Sequence, residues 1–142
     1  RLTNYCGKWI KHCGWYPDIK LRLWDRRKGT WKGVNPHDCF EMEEGIKSVH
    51  LNGDLLHYSY YTIEEHIKQI NYFTDIAANA YAQKGVKPSL FKVFASTKFM
   101  FFKSYFLKLG ILDGYYGWII SKNSAYATFL KYSKIRELQK GK

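Results

Sequence analysis

The chain has 142 residues, enough for one domain with a usable core, and 46% of them are hydrophobic and 18% aromatic. Its net charge of +11 is uneven: residues 1–84 carry 12 Lys and Arg against 10 Asp and Glu, whereas residues 85–142 carry 11 against Asp113 and Glu137 alone. Three cysteines, Cys6, Cys13 and Cys39, form an odd set without a close Cys-x-x-Cys pair, which excludes a complete disulfide framework and predicts a reducing, cytosolic setting.

The basic second part points to a polyanionic partner, either nucleic acid or anionic lipid. His12 and His37 lie near the cysteines in sequence, but their spacing fits no common zinc finger. The chain starts at Arg1, and no charged, apolar and small-residue series follows it. An excised fragment is therefore expected rather than a chain with a leader.

From Arg1 to about Phe40 the residues predict short strands and turns, with Cys13-Gly14, Tyr16-Pro17-Asp18, Lys28-Gly29 and Asn35-Pro36 as punctuation. Lys20 to Trp24 alternates, which predicts a half-buried strand with Leu21 and Leu23 on one face. An acidic loop at residues 41–45 precedes a second predicted strand around Ser48 to Leu51, and Asn52-Gly53 reads as a tight turn. Thr62-Ile63-Glu64-Glu65 is a capping box, and the helix it opens carries Ile63, Ile67, Ile70, Phe73, Ala77 and Ala80 at helical spacing. Gly85 and Pro88 end that helix.

Leu90 to Leu109 is mostly apolar, but Lys92, Lys98, Lys103 and Lys108 argue against a bilayer span. At 100° per residue those lysines fall at about 0°, 240°, 20° and 160°, so they share no single polar face. Their long stems nevertheless allow a helix lying in a headgroup layer. Gly110 and Leu112-Asp113-Gly114 separate it from a last helix, expected from about Tyr115 to Leu138. The fold class expected is α+β, divided as 1–60, an amphipathic helix at 61–87, and a basic aromatic helical hairpin at 88–142.

Several segments, in order, resemble the C-terminal half of family 2 glycosyltransferases related to the lipopolysaccharide core glucosyltransferases. They are Tyr16-Pro17-Asp18, Arg22-Leu23-Trp24, Arg26-Arg27, the loop from Trp31 to His37-Asp38, Leu55 to Tyr60, Phe106 to Gly110, and Leu112 to Gly117. The resemblance implies that residues 1–60 are the acceptor-side end of a GT-A catalytic domain. It also implies inverting transfer of a sugar from a nucleotide-sugar donor to a lipopolysaccharide or other lipid-linked glycan acceptor. Such a reaction needs a carboxylate to take the acceptor proton and positive charge to hold the departing diphosphate.

Asp38, in a loop beside a histidine and a proline-fixed turn, is the candidate base; the alternative is a cap on the element after Pro36 or a solvated side chain. His57 is the candidate ligand for a divalent metal, magnesium or manganese, with the alternative of a histidine hydrogen-bonded near the helix start. His37 would contact donor phosphate or orient Asp38, or else pack beside Trp31. Arg22, Arg26 and Arg27 suit a diphosphate, because guanidinium groups grip phosphate oxygens bidentately. Trp24 and Trp31 suit the apolar face of a sugar ring, with core packing as the alternative for at least one of them.

No Asp-x-Asp occurs in the chain, and no β-α-β segment for a nucleotide precedes the quoted motifs. The remaining metal ligands and the donor site are expected in an N-terminal part, and the chain alone is expected to be inactive. An anionic membrane surface is the expected partner of the tail, on the cytoplasmic face of a bacterial inner membrane. Nucleic acid is the competing class, along with a plain helical scaffold. Phe91, Phe94, Phe99, Phe101, Phe102 and Phe106 are mixed with Leu, Val and Met, a composition better suited to acyl chains than to a wet stacking groove.

Overall fold

The computed structural model describes residues 1–33 and 39–140. It is a mixed α+β structure of two compact units: Arg1–Pro17 with Leu55–Lys142, and the intervening Asp18–Asp54.

In the first unit, β1 (Leu2–Tyr5) turns tightly into antiparallel β2 (Lys8–Ile10) and pairs in parallel with β5 (Leu56–Tyr60), giving the order β2-β1-β5. Thr3, Asn4 and Tyr5 are buried, as expected of a central strand. Tyr5, Ile10, Cys13 and Ile120 form the core, with Trp15, Tyr60 and Tyr116 packed around it.

The helix α1 (Ile63–Gln83) starts at the predicted box. Thr62 Oγ1 accepts the Glu65 N–H at 3.1 Å, and Glu65 Oε2 accepts the N–H groups of Tyr61 and Thr62 at 2.7 and 3.3 Å. The helix ends as predicted at Gly85, whose φ of 72° lets its N–H reach the Ala82 carbonyl while Val86 N–H reaches that of Tyr81. Its buried face overlaps the one expected, with Ile70 buried and Ile63, Ala77 and Ala80 half-buried. His66, Ile70, Thr74 and Ala78 point inward, whereas Ile67 and Phe73 are exposed. Packing against the last helix takes in small and polar side chains beside the apolar stripe.

The helix α2 (Leu90–Phe102) is capped by Ser89, whose Oγ accepts the Lys92 N–H at 3.1 Å. It continues into a π-helical turn, Lys103–Leu107, closed by Lys108 N–H on the Lys103 carbonyl at 2.8 Å. A 3-10 turn, Gly110–Asp113, leads to α3 (Gly114–Lys140).

The helix α3 packs against both α1 and α2. Gly117 lies so close to the Gly110 carbonyl that a Cβ would not fit, and Ser121 Oγ donates to Ser104 Oγ at 3.0 Å. Lys134 Nζ ties α3 to α1 through Asn71 Oδ1 at 2.7 Å, Thr74 Oγ1 at 3.0 Å and Asp75 Oδ1 at 2.6 Å. Arg136 donates to the Pro88 carbonyl at 2.8 Å and Gln139 to that of Val86, which fixes the α1–α2 connection.

The second unit holds an antiparallel hairpin of β3 (Gly29–Lys32) and β4 (Cys39–Met42). Neither strand expected at residues 20–24 and 48–51 forms. Their apolar residues, Leu21, Leu23, Val49 and Leu51, line one open depression with Met42 and Ile46. The alternation reported a shared apolar face correctly, but without a neighbouring ladder the backbone groups of these segments stay irregular.

Candidate functional site

In the second unit the pairing of Trp31 with Phe40 across β3 and β4 sets an aromatic platform. Trp24 stacks on Phe40 with ring centroids 4.8 Å apart and planes at 25°. Trp31 meets both rings edge-on at 5.7 Å, and remains 60% exposed. The two tryptophans singled out from sequence thus belong to one cluster that still offers an open indole surface.

The charged residues beside it are engaged locally. Arg27 donates to both Asp25 oxygens, at 2.7 Å from Nη2 and at 3.0 and 3.2 Å from Nε, and its guanidinium holds the Asp25 carboxyl below the usual carboxylate range. Arg22 lies 3.7 Å from Asp18, which also has Lys20 at 3.6 Å, and Lys32 pairs with Glu41 at 2.8 Å. Such exposed pairs are worth little and exchange readily for another anion. Arg26 is exposed. His37 and Asp38 lie outside the described residues.

His57 belongs to the first unit, in β5 opposite Thr3, half-buried and with an interaction of its own. Among the described residues no group of three or more His, Cys, Asp and Glu side chains could hold a metal ion. The described part of the chain therefore does not make a metal centre by itself, and His57 would have to be joined by ligands from elsewhere.

Two buried polar groupings in the first unit were not anticipated as such. Asp113, 4% exposed, accepts the backbone N–H of His12 at 2.8 Å and of Lys11 at 3.4 Å, and its Oδ1 lies 3.0 Å from His12 Nδ1. Lys8 Nζ donates to the Asp113 carbonyl at 2.7 Å. This knot fixes the turn between α2 and α3 to the segment after β2. The second grouping is His66, whose Nδ1 lies 3.0 Å from both the Tyr5 hydroxyl and Asn123 Nδ2 beneath the Tyr60 ring. The sequence signals for the first were that Asp113 is one of two acids in a strongly basic stretch and sits in the Leu112-Asp113-Gly114 turn.

Over 124 residues the chain is 32% identical to an uncharacterized glycosyltransferase of Rickettsia bellii, which covers 82% of this chain and 42% of that protein. The values for the Rickettsia typhi protein of the same description are 32% over 125 residues, 83% and 43%. For the Rickettsia prowazekii protein they are 31% over 88 residues, 62% and 30%.

The likeness is to glycosyltransferases.

At the coverage seen for the first two, the glycosyltransferase likeness reaches both compact units. The chain spans a little over two fifths of the length of these relatives. No protein-family model and no solved structure matches it.

Proposed function

We propose that the chain is the acceptor-side part of an inverting, family 2 glycosyltransferase of GT-A type. It would act from a nucleotide-sugar donor on a lipopolysaccharide or other lipid-linked glycan, at the cytoplasmic face of a bacterial inner membrane. The observation that carries this reading is the likeness to the rickettsial glycosyltransferases across both units. The open Trp24–Trp31–Phe40 platform adds a surface suited to a sugar ring.

In the proposed reaction Asp38 takes the proton of the acceptor hydroxyl as its oxygen attacks the anomeric carbon. The bond from that carbon to the diphosphate breaks on the opposite face, and the electron pair leaves with the nucleoside diphosphate. Arg22 and Arg27 exchange their local carboxylates for the diphosphate oxygens, Arg26 joins them there, and His37 supports Asp38 or the phosphate. A magnesium or manganese ion, when bound, would offset the charge of the leaving group, with His57 as the ligand this chain contributes.

The test is turnover by the complete polypeptide that carries this chain, with a panel of nucleotide sugars and a lipid-linked glycan acceptor. Asp38→Asn is expected to lower kcat by about 10²–10⁴-fold, the usual share of a general base, with the donor KM little changed. The 142-residue chain alone is expected to show no turnover. Transfer that survives Asp38→Asn at the parental rate removes the assigned base, and absence of transfer from every donor by the complete polypeptide removes the transferase reading.

A further inference from the structure

The turn joining α2 to α3 carries a dense set of exposed apolar side chains. Within the ten residues 106–115, Phe106, Leu107, Leu109, Ile111, Leu112 and Tyr115 are each between 48 and 64% exposed. A soluble protein rarely leaves so many large apolar side chains together unless something covers them. Leu109 also sits in the left-handed region, at φ 53° and ψ 29°, where glycine or asparagine is the usual choice after a helix. An exposed leucine held in a strained conformation adds nothing to this fold's own core, and such strain gathers at functional positions.

The charge around the turn is of one sign. Residues 90–136 contain seven lysines and one arginine against a single acid, Asp113. That acid is buried, and its carboxylate is taken up by the amides of Lys11 and His12 and the ring of His12. Lys103 and Lys108 flank the apolar residues, and Lys8 is drawn to the same turn by the Asp113 carbonyl. Lys122 lies over the Phe101 and Trp118 rings about two turns into α3.

We infer that this turn is a membrane-docking tip. It inserts Leu107, Leu109, Ile111 and Leu112 into the outer part of an anionic bilayer, while Lys8, Lys103 and Lys108 meet the lipid phosphates. No helix among the described residues is long and apolar enough to cross a membrane, so the contact is interfacial. Four of the six exposed apolar side chains, Leu107, Leu109, Ile111 and Leu112, are branched aliphatics that give no stacking platform for bases, which disfavours nucleic acid. A second copy would bring two basic tips together, which repel. The inference concerns how a transferase would reach a lipid-linked acceptor, and in that sense it rests on the proposed function, but its measurement needs no turnover.

The experiment is flotation of the complete polypeptide with vesicles of phosphatidylglycerol and phosphatidylcholine beside vesicles of phosphatidylcholine alone. Flotation with the anionic vesicles only is expected. The double variant Leu109→Asn with Leu112→Ser keeps a residue that adopts the left-handed conformation readily, and should retain the parental circular dichroism. It is expected to lose on the order of tenfold or more in partitioning. Lys103→Gln with Lys108→Gln leaves every apolar contact in place and is expected to weaken the anionic preference by a similar factor. The inference is overturned if the parental polypeptide stays at the bottom with anionic vesicles, whether because another part of the polypeptide or a second copy covers the tip. It is also overturned if both variants float like the parent, or if the tip variants abolish single-strand nucleic-acid binding by a polypeptide that does not float.

Discussion

His66 is only 6% exposed, enclosed by Tyr5, Trp15 and Tyr60, with its Nδ1 against the Tyr5 hydroxyl and the Asn123 amide. Burial pulls its pKa down from 6.5 to about 4 and pushes that of the facing Tyr5 hydroxyl upward. The native state therefore refuses, between pH 6.5 and 4, a proton that the unfolded chain accepts. Unfolding free energy attributable to this residue is at its full value above pH 6.5 and falls as pH drops through that window, by about 3 kcal/mol in all. Urea denaturation at pH 7 and pH 5 is expected to show a larger fall for the parent than for His66→Gln, which keeps polar atoms for Tyr5 and Asn123 without the titration. Equal falls in the two proteins would refute the assignment. The sequence placed His66 on a helix but gave no sign of its partners, which come from β1 and α3.

At the scale of elements, the helix start is decided locally and the helix contacts are not. Thr62 and Glu65 are three residues apart and satisfy each other's backbone neighbours, so the box was legible without any tertiary information. Thr62→Ala is expected to lower stability by about 1 kcal/mol in urea denaturation. By contrast, Gly117 and Gly110 matter because α3 and the 3-10 turn before it nearly touch, where a Cβ on Gly117 would collide with the Gly110 carbonyl. Gly117→Ala is expected to cost more than the cap does, about 1–3 kcal/mol or above, since backbone rather than a side-chain end must move. A thermal melt unchanged by Gly117→Ala would show that the contact can relax. The lysines between Leu90 and Leu109 are scattered around the helix in projection. In the structure several lysines of α2 and α3 lie over rings, Lys92 and Lys131 both reaching Tyr132 and Lys131 also Tyr81, so their stems cover apolar surface whatever the helical phase.

At the scale of the molecule, the charge asymmetry makes a prediction independent of any single contact. A docking face with lysines and no exposed acid should lose its hold on anionic vesicles as salt rises, because the Debye length shrinks from about 10 Å at 0.1 M to about 3 Å at 1 M. Flotation that persists unchanged at high salt would mean that apolar insertion alone carries the contact. The succession of capped helix, basic helix and final helix after a region of short strands and turns was set by the sequence itself, through caps, glycines and hydrophobic spacing that act over a few residues. A resemblance to glycosyltransferases was also legible there, in short ordered segments such as Tyr16-Pro17-Asp18 and Leu112-Asp113-Gly114. Only the tertiary structure decided that Leu21 and Val49 share a depression instead of belonging to strands. It alone decided that His66, Thr74 and Ala78 face inward in place of Ile67 and Phe73, and that Asp113 closes on His12 a hundred residues away. Those outcomes depend on which surfaces meet, and meeting is settled by packing and by the need to satisfy buried polar groups across the whole chain, which no local pattern encodes.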